Sequence, residues 1–248
     1  KFGVSVDAAR ELYRRADASA DLEVWAVDCH IGSQLTGVEP FVAALERVLE
    51  LVDRLAADGI DIRHLDLGGG LGIRYGDETP PDPGAYAAAL LATLGNRDLE
   101  LVFEPGRWLV GEAGVLLTRV EYEKTHEGRE FLIVDAAMND LLRPALYQAW
   151  HDIVEVDAGR SAPRRSVDVV GPVCESSDFL GRERLLGAAT GGLLAVTSAG
   201  AYGFGMASNY NSRNRAAEVL VTDNGVQLVR RRETLDDQLA CERLPEEG

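Results

Sequence analysis

Three apolar runs constrain the fold of this chain most strongly, because helical stretches separate them in the first half of the sequence. The runs cover residues 22–31, 60–67 and 99–103. Between the first two, apolar residues from Val38 to Leu55 recur every three or four positions, which is typical of one face of a long helix. Further helices are expected over residues 6–18 and 83–94. This alternation of strands and helices predicts parallel βαβ units.

The pattern changes near residue 115, where the segments become short and β-like. Strands are predicted at residues 115–122, 131–134, 167–170, 193–197, 217–222 and 226–229. The last two flank Asp223-Asn224-Gly225, and Asn-Gly between alternating strands is the strongest local signal for a β-hairpin. A closing helix is expected from Thr234 to about Arg243. The sequence therefore predicts an α/β domain over residues 1–114 and a mainly antiparallel β domain over residues 115–248.

The number of strand-to-helix units leaves the architecture of the first half open. Only three units are present, whereas a closed (β/α)8 barrel needs eight units and about 250 residues by itself. The chain has 248 residues in total. Either the three units form a small open sheet, or the sequence is the later part of a longer chain.

Charge and composition restrict the possible classes of function. Lysine and arginine number 25 against 41 acidic residues, which gives a formal net charge of −16. Such acidity repels nucleic acid and anionic membrane surfaces, so neither is an expected partner. With no long apolar window and no recognisable signal peptide, a cytoplasmic protein is expected. Cys29, Cys174 and Cys241 form no C-x-x-C pair, which argues against a disulfide framework or a zinc site.

Each of the three apolar runs ends in polar or glycine-rich residues. These are His30-Ile31-Gly32-Ser33-Gln34, Gly68-Gly69-Gly70 and Glu104-Pro105-Gly106-Arg107. Ligands bind at the carboxyl ends of strands in parallel α/β folds, so the three segments are expected to share one site. The glycine triplet would let backbone N–H groups converge on an anion, and Ser33 and Arg107 would add further donors. A phosphate-bearing small molecule is the expected ligand.

Taken singly, these residues also have purely structural interpretations. The glycine triplet by itself is compatible with a tight turn, and no nucleotide-binding motif accompanies it. His30 is compatible with a hydrogen-bonded histidine at a strand end, and Glu104 with a helix cap or a surface carboxylate. The occurrence of all three at equivalent positions favours the functional interpretation.

Four segments of the second half carry residues that are unusual in exposed loops. They span residues 139–147, 171–178, 200–203 and 209–213. Arg143 and Tyr147 are four residues apart, a spacing that could clasp a carboxylate on one helix face. Cys174 beside Glu175 offers a thiol acid and an acceptor for an ammonium group, although a lone cysteine is more often a buried small hydrophobe. Spacing alone leaves these interpretations open.

Taken in order, the motifs resemble those of the diaminopimelate decarboxylases, which are pyridoxal-phosphate-dependent decarboxylases with an alanine-racemase-like barrel. The matching segments are His30 to Gln34, Gly68 to Gly70, Glu104 to Arg107, Arg143 with Tyr147, Cys174 to Asp178, Gly200 to Tyr202, and Asn211 to Arg213. The resemblance runs across essentially the whole chain. It implies the later part of an alanine-racemase-like (β/α)8 barrel, followed by a C-terminal β domain.

The resemblance implies pyridoxal phosphate as the cofactor and no metal site. His30 matches the histidine that stacks on the cofactor ring, and Tyr202 matches a tyrosine near the cofactor and substrate. The phosphate-side positions are matched by Ser33, Gly68, Gly69, Gly70, Gly106 and Arg107. Glu104 matches the carboxylate facing the pyridine nitrogen, and an anion there keeps that nitrogen protonated, so that the ring can take up electrons.

The implied reaction converts meso-2,6-diaminopimelate to L-lysine and carbon dioxide, which is the last step of lysine biosynthesis. Arg143 and Tyr147 match positions that hold the distal carboxylate, and Arg107 matches a position that also reaches the substrate. Cys174 and Glu175 match residues that reach the neighbouring subunit's site, where the thiol protonates the carbanion and the glutamate meets the distal amino group. A homodimer with shared active sites is therefore implied.

The family's Schiff-base lysine has no counterpart in this sequence. Lys1 is terminal, and Lys124 lies in a predicted β hairpin. Together with the missing barrel strands, this predicts that the chain lacks the family's N-terminal part and that activity without the lysine is badly impaired. Two other functions stay open. One is a related ornithine, arginine or carboxypolyamine decarboxylase, against which Arg143 and Tyr147 argue, and the other is a non-catalytic homologue that has lost the lysine.

Overall fold

The computed structural model describes residues 2–156 and 163–245, so Lys1 lies outside the described residues. The chain divides into two compact units, Lys1–Leu109 and Val110–Gly248. No helix in the two described ranges combines the length and the apolar character that a membrane crossing requires. Each unit has its own hydrophobic core and its own sheet, so the two are described in turn.

Helices alternate with three short strands in the first unit. In chain order the elements up to residue 110 are α1 (Val6–Asp17), β1 (Ala26–Asp28), α2 (Glu39–Ala57), β2 (His64–Asp66), α3 (Pro83–Leu94), β3 (Glu100–Val102) and α4 (Gly106–Val110). The strands form one parallel sheet in the order β1-β2-β3, in which Leu65 pairs with Val27 on one side and Leu101 on the other. The predicted βαβ units are therefore confirmed.

Polar side chains define where these helices begin and how α1 is attached. Ser5 precedes α1 and Asp82 precedes α3, and each accepts a backbone N–H from the first turn of its helix. Asp58 at the end of α2 accepts hydrogen bonds from Arg10 at 2.6 Å and Arg14 at 2.8 Å. The two guanidinium groups hold the pKa of this carboxyl well below its usual range. Asp58 thus ties α1 to α2.

The core of the first unit is built on the apolar face of α2. The buried residues of this face are Phe41, Leu45, Val48, Leu49, Leu51, Val52 and Leu55. Leu65 from β2 and Leu90 from α3 belong to the same cluster and are fully buried. Burial of one such side chain contributes about 1.5–3 kcal/mol relative to exposure. This packing fixes the sheet whose strand ends carry the candidate residues.

The second unit is built around a six-stranded mixed sheet. Its strands are β4 (Leu116–His126), β5 (Arg129–Val134), β6 (Ile153–Glu155), β7 (Arg165–Val170), β8 (Phe179–Leu186) and β9 (Leu193–Val196), and α5 (Arg143–Tyr147) lies between β5 and β6. The order is β6-β9-β4-β5-β7-β8, and β5 and β7 pair in parallel while the other neighbours are antiparallel. Gly187 after β8 donates its N–H to Glu155 of β6 at 2.5 Å, so the sheet nearly closes on itself.

A separate hairpin and a short helix complete the second unit. They comprise β10 (Glu218–Thr222), β11 (Gly225–Arg230) and α6 (Leu235–Leu239). Thr222 pairs with Gly225 across a two-residue turn, which confirms the predicted hairpin. The closing helix was predicted too long, because it ends at Leu239, where the N–H of Glu242 turns back to the Leu239 carbonyl. The main-chain path leaves the helix in this turn.

Candidate active site

Three strand ends of the first unit place the predicted cofactor residues at one edge of its sheet. His30 and Ser33 follow β1, the glycine triplet follows β2, and Glu104 to Arg107 follow β3. Because the three strands are parallel, their carboxyl ends lie at the same edge. We call the following residues the strand-end site: His30, Ser33, Gly68, Gly69, Gly70, Glu104, Gly106 and Arg107.

Backbone pairing continues past the ends of the strands and into the strand-end site. The N–H of Cys29 donates to the Asp66 carbonyl at 2.9 Å, and the N–H of Leu67 donates to the Val102 carbonyl at 3.0 Å. One step further, the N–H of Glu104 donates to the Gly68 carbonyl at 2.8 Å. The segments that bear the candidate side chains are therefore held by the sheet itself.

The glycine triplet allows a close approach of backbone segments that no side chain would permit. A Cβ on Gly69 would lie 2.4 Å from the carbonyl oxygen of Glu104, and one on Gly68 would lie 2.8 Å from Nδ1 of His30. The N–H groups of Gly68 and Gly69 are donated to the Asp66 carboxylate at 2.8 Å and to His30 Nδ1 at 3.2 Å. The expected convergence of these two N–H groups on an anion is therefore wrong, and what the triplet provides is the close packing of the segments that follow the three strands.

Arg107 forms hydrogen bonds to two hydroxyl groups at the strand-end site. Its guanidinium donates to the Ser33 hydroxyl at 2.8 Å and to the Tyr75 hydroxyl at 2.5 Å. The sequence analysis did not identify Tyr75, a buried residue with no neighbouring motif to mark it. A guanidinium beside a serine hydroxyl is a donor set that suits a phosphate group.

Gln34 fastens the segment after β1 to the segment after β2. Its side-chain amide donates to the Ile73 carbonyl at 2.6 Å and accepts the Ile73 N–H at 3.2 Å. The adjacent Leu35 forms an isolated parallel bridge with Leu71. Gln34 stood within the His30 motif but had no assigned role, because its partner lies 39 positions further along the chain.

The strand-end site fits pyridoxal phosphate in its chemistry. Gly68 and Gly69 let the segments that carry His30 and Glu104 lie closer together than any Cβ would allow. Arg107 and Ser33 supply donors for a phosphate, while the exposed Glu104 supplies a carboxylate for a protonated ring nitrogen. His30 accepts a hydrogen bond at Nδ1, so its neutral ring carries the proton on Nε2.

The other predicted site residues belong to the second unit, and we call Arg143, Tyr147, Cys174, Glu175 and Tyr202 the β-unit group. Arg143 and Tyr147 lie in α5, Cys174 and Glu175 in the loop between β7 and β8, and Tyr202 after β9. Arg143 is 7% exposed and Tyr147 is 63% exposed. The helix α5 has only five residues, and its first side chain is buried while its last is exposed, so the clasp of a carboxylate by these two side chains stays a prediction.

Sequence reasoning missed the residue that receives Arg143. The guanidinium lies 2.7 Å from Nε2 of the fully buried His151, whose Nδ1 lies 2.8 Å from the Thr197 carbonyl. No helix spacing rule predicts this pair, since the chain leaves α5 through Gln148, which has a left-handed backbone conformation with φ of 53°. The only signal was a histidine near an arginine in a polar segment.

Asp178 anchors the loop that carries Cys174 and Glu175. Its buried carboxylate accepts the N–H of Val173 at 2.8 Å and the N–H of Met138 at 2.6 Å. Burial raises the pKa of Asp178, although both N–H groups favour the charged form. The hydroxyl of Tyr210 lies 3.3 Å from Glu175 and restrains that side chain as well.

Segments that are distant in sequence meet around one cavity of the second unit, with a volume of about 620 Å³. The cavity is lined by Met138, Asn139, Leu142, Glu175, Ser177, Ser208 and Tyr210. The side-chain amide of Asn139 donates to the Ser208 carbonyl at 3.2 Å and joins two of these segments. Three of the four motif segments singled out in the second half therefore line a common cavity.

Known proteins resemble this chain over nearly its full length. Residues 1–111 match the family described as pyridoxal-dependent decarboxylase, pyridoxal binding domain. The chain is 62% identical over 244 residues to a diaminopimelate decarboxylase of Pseudomonas aeruginosa, covering 98% of this chain and 59% of that protein. The chain is therefore similar to the diaminopimelate decarboxylases over nearly its whole length. This is the family that the sequence analysis indicated.

Solved structures of the diaminopimelate decarboxylase family show the same fold. The enzyme of Helicobacter pylori complexed with L-lysine matches with a TM-score of 0.90 and 42% identity, over 96% of this chain and 59% of that one. The M. jannaschii enzyme in complex with L-lysine matches with a TM-score of 0.94 and 39% identity, over 99% and 58%. The chain spans about three fifths of the length of these diaminopimelate decarboxylases.

Proposed function

We propose that the complete protein carrying this sequence is a carboxy-lyase that converts meso-2,6-diaminopimelate to L-lysine and carbon dioxide. The observation that carries the proposal is the 62% identity over 98% of the chain to a protein of that name, with every predicted site residue present. The Helicobacter pylori and M. jannaschii enzymes were each solved in complex with L-lysine, the expected product. The strand-end site supports the same assignment through its fit to pyridoxal phosphate.

In this proposal, different residues of the strand-end site bind different parts of the cofactor. Bound pyridoxal phosphate would supply a ring that takes up the electron pair left when carbon dioxide departs. Arg107 and Ser33 would hold the phosphate, and Gly68 to Gly70 would let the backbone approach it. Glu104 would keep a proton on the pyridine nitrogen, and the imidazole of His30 would stack on the ring. Gly106 leaves the phosphate side of the site open, since a Cβ there would meet nothing within 4 Å.

The β-unit group would bind the rest of the substrate and handle the proton. Arg143 and Tyr147 hold the distal carboxylate, and Glu175 accepts the distal ammonium group. The bond between the α-carbon and its carboxylate breaks, and the thiol of Cys174 delivers its proton to that carbon. Tyr202 and Arg107 complete the contacts to the cofactor and substrate. Cys174 and Glu175 are exposed, which is compatible with our proposal that they serve the neighbouring subunit of a homodimer.

The same proposal places the two units within a larger architecture. The parallel sheet of the first unit forms the later part of a (β/α)8 alanine-racemase-like barrel, and the second unit is the C-terminal β domain. The free thiols of Cys29, Cys174 and Cys241 suit a reducing compartment, so we place the reaction in the cytoplasm. A decarboxylase of ornithine, arginine or a carboxypolyamine is disfavoured. A substrate without a distal carboxylate would give the Arg143 guanidinium no anionic group to bind.

The test uses the complete protein, loaded with pyridoxal phosphate and supplied separately with meso-2,6-diaminopimelate, L-ornithine and L-arginine. We expect carbon dioxide and L-lysine in equal amounts from the first compound only. Arg143→Met should lower kcat/KM by roughly 100-fold, whereas the matched change at the exposed Arg129 of β5 should leave it unaltered. Release of carbon dioxide from ornithine or arginine instead would overturn the assigned substrate.

A second measurement separates an enzyme from a non-catalytic homologue. Borohydride reduction of the loaded protein, followed by peptide mass spectrometry, locates the lysine that holds the cofactor. We expect a single modified lysine outside the described residues. A clean adduct on Lys124, which is exposed in β4, would contradict the assigned cofactor site, and no adduct at all would favour a non-catalytic homologue.

A further inference from the structure

A fully buried histidine lies behind Arg143 and is held in one tautomer. Nδ1 of His151 is 2.8 Å from the carbonyl oxygen of Thr197, and Nε2 is 2.7 Å from a guanidinium nitrogen of Arg143. A carbonyl oxygen only accepts hydrogen bonds, so Nδ1 carries the proton. A guanidinium only donates, so Nε2 is the acceptor. Both partners therefore require a neutral imidazole ring.

The sheet, rather than the helix, fixes the position of this ring. His151 comes shortly before β6, and the N–H of Thr197 donates to the Asp152 carbonyl at 2.9 Å. This bond extends the ladder in which Ile153 of β6 pairs with Val196 of β9. Arg143, by contrast, begins the short helix α5. The hydrogen bond between the two side chains thus attaches the guanidinium to the six-stranded sheet of the second unit.

A neutral acceptor has a specific consequence for the guanidinium that it holds. A carboxylate in this place would orient Arg143 and would also cancel its charge. The lone pair of Nε2 orients the guanidinium while adding no negative charge of its own. A guanidinium held in this way keeps its attraction for an anionic group of a ligand.

We propose that His151 is a positioning residue that aims Arg143 at the distal carboxylate of the substrate and so sets the preference for dicarboxylic substrates. The inference rests on the proposed function, in which Arg143 binds that carboxylate. It adds a residue that acts only through Arg143 and that touches neither the cofactor nor the reacting carbon.

The test compares three variants of the complete, cofactor-loaded protein. His151→Ala removes the acceptor, His151→Gln restores a neutral group with both a donor and an acceptor, and His126→Ala is the control at an exposed histidine of β4. We measure kcat and KM with meso-2,6-diaminopimelate, and the inhibition constant of cadaverine, a diamine that lacks the distal carboxylate. The alanine variant should raise KM about tenfold, leave kcat within about threefold and leave the inhibition constant of cadaverine unchanged.

The His151→Gln variant should recover most of the lost affinity, and the His126→Ala variant should match the parent protein. An unchanged KM in the alanine variant would overturn the proposal. Equal losses for diaminopimelate and cadaverine would also overturn it, because they would indicate general damage to the fold. If His151→Ala does not fold, the His151→Gln variant tests the proposal instead. The proposal requires this variant to keep the preference for the dicarboxylic substrate.

Failure of the proposed function has a separate signature. If the parent protein releases no carbon dioxide from diaminopimelate, the reaction assignment fails, and His151 is judged by the binding of glutarate, a simple dicarboxylate. Titration calorimetry should then show weaker glutarate binding in His151→Ala than in the parent and in His151→Gln. Equal binding in all three, or no binding to the parent, would overturn the positioning role.

Discussion

Gly69 is the residue at which the strand-end site tolerates the least change. Its Cα faces the carbonyl oxygen of Glu104, and a Cβ would approach that oxygen to 2.4 Å. Backbone cannot move aside as a flexible side chain can, so the segment after β3 would have to shift. Because Glu104 also donates its N–H to Gly68, this shift would disturb the end of the sheet itself.

We therefore expect Gly69→Ala to lower the free energy of unfolding by about 1–3 kcal/mol and to weaken the binding of pyridoxal phosphate. Gly205→Ala is the matched control, because Gly205 has an ordinary φ and a Cβ there would meet nothing within 4 Å. Denaturant unfolding and the visible absorbance of the bound cofactor are the measurements. Cofactor affinity equal to that of the parent protein would show that the cofactor site does not depend on the close approach at Gly69.

Residue types were easier to predict than residue partners. The sequence indicated Arg107 and Glu104 because they follow an apolar run. It indicated Arg143 because Tyr147 lies four positions further on. It did not indicate Tyr75 or His151, whose side chains meet Arg107 and Arg143 only after the chain has folded back. Two side chains that meet across a left-handed residue or a long loop have no fixed spacing in the sequence. No periodic pattern therefore predicts that they are partners.

Among the elements, the hairpin formed by β10 and β11 is followed by a carboxylate, that of Glu233, which ties the chain back to an earlier segment of the same unit. Glu233 accepts hydrogen bonds from the backbone and side chain of Arg215 at 2.8 and 2.7 Å, and from the Asn209 amide at 2.6 Å. These contacts, the Arg215 side chain foremost, lower the pKa of Glu233 to about 2. The carboxylate therefore restrains the segment over residues 209–215, which carries one of the four motifs.

The lowered pKa predicts a loss of this attachment in acid. Since the pKa falls from its ordinary 4.5 to about 2, the contribution is complete above about pH 4.5 and is lost as the pH falls toward 2. Carbon-detected NMR titration of the Glu233 carboxyl should give a midpoint near 2. Glu233→Gln should remove this pH dependence while Asp223→Asn, in the hairpin turn, should not; a midpoint near 4.5 would refute the attachment.

The predicted helices agree with the structure better than the predicted strands do. Repeated apolar spacing and a local cap determine a helix, so α2 and α3 were predicted nearly to the residue. Two strands were missed. β6 has only three residues, and the alternation of β8 is broken at Glu183, whose φ is 52° and whose neighbour Arg184 is buried against the Trp150 ring. Neither strand shows the two-residue period on which strand prediction depends.

On the scale of the whole molecule, each of the two units has a hydrophobic core of its own. Leu65 is fully buried in the first core, and Leu132 is fully buried in the second. The alternation of the first unit is a local property and was predictable. The strand order of the second unit was not, because the parallel pairing of β5 with β7 joins residues far apart in sequence.

Cavities placed in the two cores should act on different parts of the chain. Leu65→Ala and Leu132→Ala are each expected to cost about 2–5 kcal/mol, through lost burial and an unfilled cavity. Hydrogen exchange followed by mass spectrometry should show faster exchange within residues 2–109 for the first variant and within the second unit for the other. Equal loosening of both units by either variant would contradict separate cores.

The pairing of Gln34 with Ile73 has a consequence for how a ligand is received. A side-chain amide that satisfies both the N–H and the carbonyl of one residue imitates a neighbouring strand, so the loops after β1 and β2 are ordered before any ligand arrives. Fixing one loop residue costs about 1–2 kcal/mol of conformational entropy. Because these loops are ordered on folding, they do not lose this conformational entropy when a molecule binds. The binding free energy is therefore more favourable than it would be with flexible loops.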